Sequence, residues 1–460
     1  MSDLFTSLTT ASRALATHRM GIDIAGHNIA NVNTPGYARR VVDLAARGPG
    51  TPAGAGSGVD VMTIRALRDR LLEERLNREA PLEGREAVVA SALQVVETAL
   101  GRPGESIDAR LAAFFNSFAG LADDPTSRNL RHEVVLQGEA VAAAFRDMAG
   151  RLDRSRQDAD REVRGLVDDI NNLTTRIASL NQAIARTSAE ASLHLRDEQG
   201  ALVRRLAELV EISVVTRSDG GVDISAGQGR PLVVTANAYA IGVTSTAPSG
   251  FAALSINGAT VTSELTGGRL GGHLYVRDTT IPAYQARLDE IAYELHQRVN
   301  ALHTAGYDQS GVDAGDFFAF STPPSGMSGA AAALIVHSTV AADPTKVAAA
   351  SIAQPGDNQT ARAIASLRDD RVLSGNTATF SDLWGQLVYR VGRDARSAAD
   401  ARDSRAEIVR QVESLRDNVS GVSLDEEAMN LLKFQRAYEA NAKFFTIIDE
   451  TLEMLLSLVR

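Results

Sequence analysis

The residues that could carry chemistry come first, and none of them is spaced for it. His132-Glu133 opens like the helix of a zinc protease, but the position of the second histidine holds Leu136. Gly227-Gln228-Gly229 lacks the third glycine and the following helix of a dinucleotide turn, and no Gly-Lys-Ser or Gly-Lys-Thr occurs. Ser57-Gly58 and Ser328-Gly329 do not complete the Gly-x-Ser-x-Gly elbow of a hydrolase. The eight histidines are scattered without ligand spacing. Asp123-Asp124 and Asp168-Asp169 read as capping or solvated acids rather than an acid–base dyad, and Arg39-Arg40 is too short for a nucleic-acid patch. No catalytic residue, metal or cofactor is expected. An enzyme is disfavoured.

What the chain does repeat is an apolar spacing at both of its ends. Leu4, Leu8, Ala11, Leu15, His18, Ile22, Ala25 and Ile29 fall at alternating gaps of four and three, one stripe of a helix with His18 as its polar break. Leu424, Glu427, Leu431, Phe434, Tyr438, Asn441, Phe445, Ile448, Leu452, Leu455 and Val459 do the same at the C-terminus. Sustained heptads at opposite ends predict helices that pair with each other, with other copies, or with both. Pairing within the chain leaves Phe5, Ile24, Leu432, Ile447, Met454 and Leu458 on outer faces for neighbours. His18 and Asn441 either set register or tolerate exposure; the sequence leaves both open. The first helix also has a written stop. In Asn31-Val32-Asn33-Thr34-Pro35-Gly36-Tyr37, Pro35 moves Thr34 out of the helical region and Gly36 suits the third position of a type II turn.

Composition bounds the rest. At 460 residues the chain exceeds one core, and two to four domains are expected. Aromatic content is 5% and net charge −10, with acids and arginines interspersed, so nucleic acid is not an expected partner. No apolar run is long enough to span a membrane. Without cysteine, disulfides and thiolate chemistry are excluded. Met1-Ser2-Asp3 does not open a signal peptide, which taken alone points to the cytoplasm.

Between the ends the texture is helical, then β, then helical. Arg40-Val41-Val42 and the alternation of Val59, Val61 and Thr63 predict extended structure within 37–64. Helices follow from about Leu67, through Leu111 to Leu121, and again from near Thr126. The clearest carries Val163, Leu166, Ile170, Leu173, Ile177, Leu180 and Ile184. Short β-branched runs with glycine turns begin at Ile212 and predict an antiparallel β part. Helix resumes at Tyr284. Residues 305–380 read as loops and short elements, and a last long helix runs from about Leu383 to Val419. Ser423 and Glu426 then stand at capping-box spacing before the terminal heptads. The predicted fold is mainly α with a β insertion. Residues 1–36 with 421–460 form a terminal coiled coil, 37–211 with 276–420 a long helical domain, and 212–275 a β-rich outer domain.

The stretch His27-Asn28-Ile29-Ala30-Asn31-Val32-Asn33-Thr34-Pro35-Gly36-Tyr37 resembles the N-terminal signature of the axial proteins of the bacterial flagellum, which build rod, hook and junction. Gly421-Val422-Ser423-Leu424-Asp425-Glu426-Glu427 with Gln435, Tyr438 and Asn441 resembles the C-terminal stretch shared across that family. The middle resembles its hook-associated junction branch. There Phe114-Phe115-Asn116-Ser117-Phe118, Asp124-Pro125-Thr126-Ser127-Arg128, Ile170-Asn171-Asn172-Leu173 and Arg196-Asp197-Glu198-Gln199 follow in order. Leu193-His194-Leu195 departs from the branch's usual Asn-Asp-Leu-Leu-Asp.

The resemblance implies a structural role, a ring of copies at the distal end of the hook that joins it to the filament and is needed for filament assembly and motility. The implied partners are further copies, hook protein, a second junction protein and, before secretion, an export chaperone. The implied destination is outside the cell, through type III export without a cleaved signal. Leu4, Leu8, Leu15, Ile22, Ile29, Asn31, Asn33, Pro35, Gly36, Tyr37, Leu431, Phe434, Tyr438, Asn441, Phe445, Ile448, Leu452 and Leu455 are the expected assembly residues. Phe444, Ile447, Leu452 and Leu455 on the C-terminal helix are the expected chaperone contacts. A hook or rod subunit of the same family is the second reading, and a flagellum-associated muramidase the third.

Overall fold

A computed structural model describes residues 2–458 except 35, 49–57, 101–105, 248 and 372–376. The first helix, α1 (Ser2–Ala30), is followed by a hairpin of β1 (Arg40–Ala46) and β2 (Val59–Ala66). The helices α2 (Arg70–Leu100), α3 (Ile107–Asp123), α4 (Arg128–Ala185) and α5 (Leu193–Leu209) come next. Two small antiparallel sheets then form. One holds β3 (Ile212–Thr216), β4 (Val222–Ala226), β5 (Arg230–Val234) and β6 (Asn237–Ala238) in sequence order. The other holds β7 (Ile241–Ser245), β8 (Ala252–Ile256) and β9 (Ala259–Thr260). Helix α6 (Gly268–Tyr275) runs through a π turn at Val276–Thr280 into α7 (Ile281–His303). Short elements follow: β10 (Phe318–Phe320), α8 (Ala330–Ala333), β11 (Leu334–Val336), α9 (Ser338–Ala342) and α10 (Gln359–Ser366). The long α11 (Phe380–Ser420) and α12 (Leu424–Leu458) close the chain.

Helix α4 organises the middle of the molecule, because its 58 residues pass through both hydrophobic cores. Its first half packs with α2, α3, α7 and α11 around Phe114, Phe115, Phe118, Phe317, Phe318 and Phe380, all fully buried. The second half, with Val163, Ile170 and Ile177 inward, packs against α5 and both small sheets. The sequence reading divided this helix into separate segments, and it is continuous. Gly138 within it is a packing residue rather than a break: a Cβ there would stand 2.7 Å from the Phe317 ring.

Three side chains on α4 pin the β part by standing in for a neighbouring strand. Asn171 donates to Ile241 O and accepts from Ile241 N. One turn-set further on, Asn181 does the same for Val222, donates also to Thr235 O, and accepts from Gln199. Asp160 accepts from Ala252 N at 2.7 Å and from buried Arg277 at 2.5 Å. Residues 160, 171 and 181 are about three helical turns apart, so they share a face. The β-rich stretch expected over 212–275 gives way earlier, since Gly268–Tyr275 is helical. Its glycines serve close packing, with a Cβ on Gly268 falling 2.4 Å from the Leu209 backbone and one on Gly271 2.3 Å from Thr266.

His303 ties the end of α7 to the loops beyond it. Ala348 N–H donates to its Nε2 at 2.9 Å, so the proton sits on Nδ1, which donates to Gly315 O at 2.6 Å. Burial pushes its pKa down to about 4. The unfolded chain therefore binds an extra proton between its ordinary value near 6.5 and about 4. Stability from this group is full above pH ~6.5 and falls as pH drops, by about 3 kcal/mol in total. Denaturant titrations from pH 7 to 4 are expected to show this loss, and His303→Gln to flatten that part of the slope.

Candidate assembly interface

Helices α1 and α12 pack along one another, and the register is antiparallel: Asn28 meets Glu427, while Gly21 and His18 meet Phe434. Two rows of α1 face α12, one of Ala11, His18 and Ala25 and one of Ala14, Gly21 and Asn28, each at heptad spacing. A third row, Thr10, Thr17 and Ile24, faces the β1–β2 hairpin. Thr17 Oγ1 donates to Val59 O at 3.2 Å, and Thr10 lies against Gly58. Ile24, expected on an outer face, is buried for this reason.

The predicted assembly residues divide accordingly. Leu4, Leu8, Leu15, Ile22 and Ile29 are only half-buried, because the hairpin covers the other flank of α1. On α12, Leu431, Phe434, Asn441, Phe445 and Leu452 are half-buried, Ile448 is buried, and Tyr438 and Leu455 are exposed. Phe444 and Ile447 are exposed, as are Phe5, Leu432 and Met454. Leu458 and Val459 lie outside the residues whose side chains are described. Asn441 donates to Ala437 O in its own helix. His18 lies 6.3 Å from the Phe434 ring, and burial lowers its pKa.

Phe434 is accepted only because position 21 is glycine. A Cβ there would stand 2.7 Å from three ring atoms. Gly21→Leu is expected to force the helices apart at a cost of about 3 kcal/mol, of which the roughly 1 kcal/mol that leaving glycine returns in a helix offsets only part. Amide exchange over 4–29 and 424–458 should accelerate about tenfold or more, and adding Phe434→Ala should recover part of the protection. Unchanged exchange would show that the pair does not depend on this contact.

The turn after α1 builds a polar junction that the stripes alone did not reveal. Gly36 has φ 82°, and Tyr37 N donates to Thr34 O, the geometry expected for that turn. Pro35 lies outside the described residues. Asn31 is spent locally, donating to His27 O and accepting from Thr34, and Asn33 is exposed. The centre is Asn28, which is fully buried. It donates to Glu427 Oε2 at 3.0 Å and to Arg40 O, and accepts from Arg40 N and the Tyr37 hydroxyl. Arg39 Nε donates to Glu427 Oε1 at 2.7 Å and its Nη1 pairs with Glu426. Glu426 is thus turned to Arg39, while Ser423 Oγ accepts only a long 3.5 Å bond from Glu426 N, so half of the predicted capping box forms.

The junction then reaches the helical body. Arg40 and Arg68 both pair with Asp197 on α5, and Arg39 N donates to Ser420 O at the end of α11. Sequence reasoning placed Asn28, Arg39, Arg40, Asp197 and Glu427 in no functional role. A charged residue at a stripe position, Glu427, was the signal available. This arrangement can hold a helix pair at a fixed angle. Among the described residues no group of three or more His, Asp or Glu could hold a metal, and no helix is long and apolar enough to cross a membrane.

Comparison with known proteins agrees along the whole chain. The profile of the family "Flagellar hook-associated protein FlgK helical domain" matches residues 93–318. Residues 416–458 match "Flagellar basal body rod FlgEFG protein C-terminal" and residues 8–37 match "Flagella basal body rod protein". Flagellar hook-associated protein 1 of Bacillus subtilis is 26% identical, with 99% of each chain covered. The Escherichia coli protein of that name is 22% identical over 98% of this chain and 99% of its own. The flagellar hook junction protein FlgK of Burkholderia pseudomallei shares the fold, with a TM-score of 0.68 at 16% identity over 75% of this chain and 100% of its own. With axial-protein ends on either side of this helical middle, the chain is similar over its whole length to flagellar hook-associated protein 1 of the bacterial flagellar axial proteins.

Proposed function

We propose that this protein is the structural subunit that joins the flagellar hook to the filament, assembled as a ring of copies at the distal end of the hook and required for filament growth and motility. The observation that carries this reading is a helix pair that remains apolar on its outside. Leu432, Ile447 and Met454 are each more than half exposed, and such surface on a soluble chain marks a partner site. The proteins it is similar to are structural flagellar proteins rather than enzymes.

In this reading residues 1–36 with 421–460 form the assembling coiled coil, 37–211 with 276–420 the body, and 212–275 the outward unit. Hook protein lies on one side and a second hook-associated junction protein on the other. The chain leaves the cell by type III export. Before that, a chaperone covers Phe444, Ile447, Leu452 and Leu455, because exposed apolar heptads need shielding until assembly. A hook or rod subunit is the alternative, favoured by the rod-family matches at both ends; the 93–318 match weighs for the junction. Immunogold labelling of isolated flagella with antibody to residues 212–265 tests the position. A band at the hook–filament boundary is expected, whereas label along the hook or in the rod would favour the alternative.

A further inference from the structure

Away from the terminal helices, an open groove runs between α2 and α4. Two cavities of about 710 and 560 Å³ lie along it, and Val95, 60% exposed, borders both. Ala87 and Ser91 of α2 share one cavity with Ser155 and Glu162 of α4, while Thr98 shares the other with Ala140 and Ala144, so the two walls run antiparallel. On each helix these positions fall on one stripe, and all are half-buried or exposed. From Ala140 to Glu162 the α4 wall is about 33 Å long, the length of a helix of about twenty residues. Its small side chains let another helix approach closely.

The two ends of the groove carry opposite charge. At one end Glu83, Glu162 and Glu208 converge from α2, α4 and α5, with Arg269 and His273 beside them. Asp158, also there, is paired with Arg161. Burial, reinforced by Glu83, raises the pKa of Glu208, and burial lowers that of His273, so the imidazole adds no charge at neutral pH and three carboxylates face one guanidinium. At the other end Arg110 of α3 and Arg151 of α4 stand with Asp147. Among the described residues none of Glu83, Glu162, Glu208, Arg110 and Arg151 forms a side-chain ion pair.

We infer that this groove docks one amphipathic helix of another protein, laid with its N-terminus at the glutamate end and its C-terminus at Arg110 and Arg151. Each end of the helix dipole then meets the opposite charge, and a face of small and medium apolar side chains lies over Val95. The occupant carries cations rather than acids in its first turns. A second copy does not supply it: α12, whose outer face is the most apolar among the described helices, opens with Asp425, Glu426 and Glu427, which the glutamate end repels. This inference goes beyond the assembly reading and does not depend on it.

Two stapled helical peptides of equal composition test it, each with leucine and alanine along one face. One has lysines in its first turns and glutamates in its last; the other has them reversed, and the staples keep both helical. Titrated with the full chain and followed by fluorescence anisotropy, the first is expected to bind about tenfold tighter than the second. Reversing the groove's charges together (Glu83→Arg, Glu162→Arg, Arg110→Glu and Arg151→Glu) should invert that preference. Val95→Arg should weaken the first peptide about tenfold while Trp384 fluorescence shows the fold intact. In cells, a photocrosslinking side chain in place of Val95 should join this chain to a helical segment of a different protein that has cations in its first turns. Equal binding of the two peptides, binding indifferent to Val95→Arg, or crosslinks only between copies of this chain would overturn the inference and leave the assembly reading standing.

Discussion

Glu427→Ala should loosen both ends of the molecule at once. Glu427 is 2% exposed and is the shared acceptor of the Asn28 amide and the Arg39 guanidinium. Removing it leaves a fully buried Asn28 amide donor unpaired and takes one partner from Arg39, which is only partly buried and keeps Glu426, a loss of about 2–3 kcal/mol. The effect should be local. Protease sensitivity and amide exchange should rise over 2–40 and 421–458, while fluorescence of Trp384, the single tryptophan and buried in the helical core, should report an unchanged unfolding transition. Glu427→Gln retains an acceptor for Asn28 and should fall between. Equal protection in wild type and Glu427→Ala would remove the junction from the account.

Asp160→Ala should be the most damaging change in the body. The burial of Asp160 alone would raise its pKa, but hydrogen bonds from Ala252 N–H, Arg164 and Arg277 outweigh it and hold the carboxyl below its ordinary range. Arg277 is 2% exposed, so the alanine leaves a buried guanidinium without this partner and the β8 amide of Ala252 without its acceptor. Arg277 keeps Asp278 through Nε and Nη2, which limits the cost, and a loss of about 2–3 kcal/mol is expected in equilibrium unfolding. Most of that is the cost of buried donors left without their acceptor rather than the worth of the pair. Adding Arg277→Met to Asp160→Ala should therefore restore part of the stability, since it removes one of the donors left unpaired. A double variant less stable than Asp160→Ala would contradict this.

These two sites also mark where the sequence was legible and where it was not. The terminal helices could be read because one periodicity decides them, and Leu4 to Ile29 keeps it without a slip. The Gly36 turn could be read because few residues take positive φ. Asn28 and Glu427 were opaque for the same reason the stripes were clear: polar side chains at heptad positions look like interruptions until their partner is known, and here it lies 399 positions away. The rotation of α1 that buries Ile24 depends on the hairpin, another non-local contact. Asn171 stood in a recognisable motif, yet its work on β7, like that of Asn181 on β4, follows from three-dimensional placement alone. The short elements of 305–380 are of the same kind. Asn300 on α7 accepts from Phe317 N and Phe318 N and donates to Phe318 O, so one side chain fixes a stretch with no period of its own.

The most direct measurement is electron microscopy of cells that lack this gene, with the culture medium assayed for flagellin. Complete hooks without filaments, and flagellin released to the medium, are the predicted result, because in the proposed role this chain supplies the surface on which the filament builds and has no part in building the hook. Absent or shortened hooks would place the chain in the rod or hook instead. Normal flagella would contradict the account.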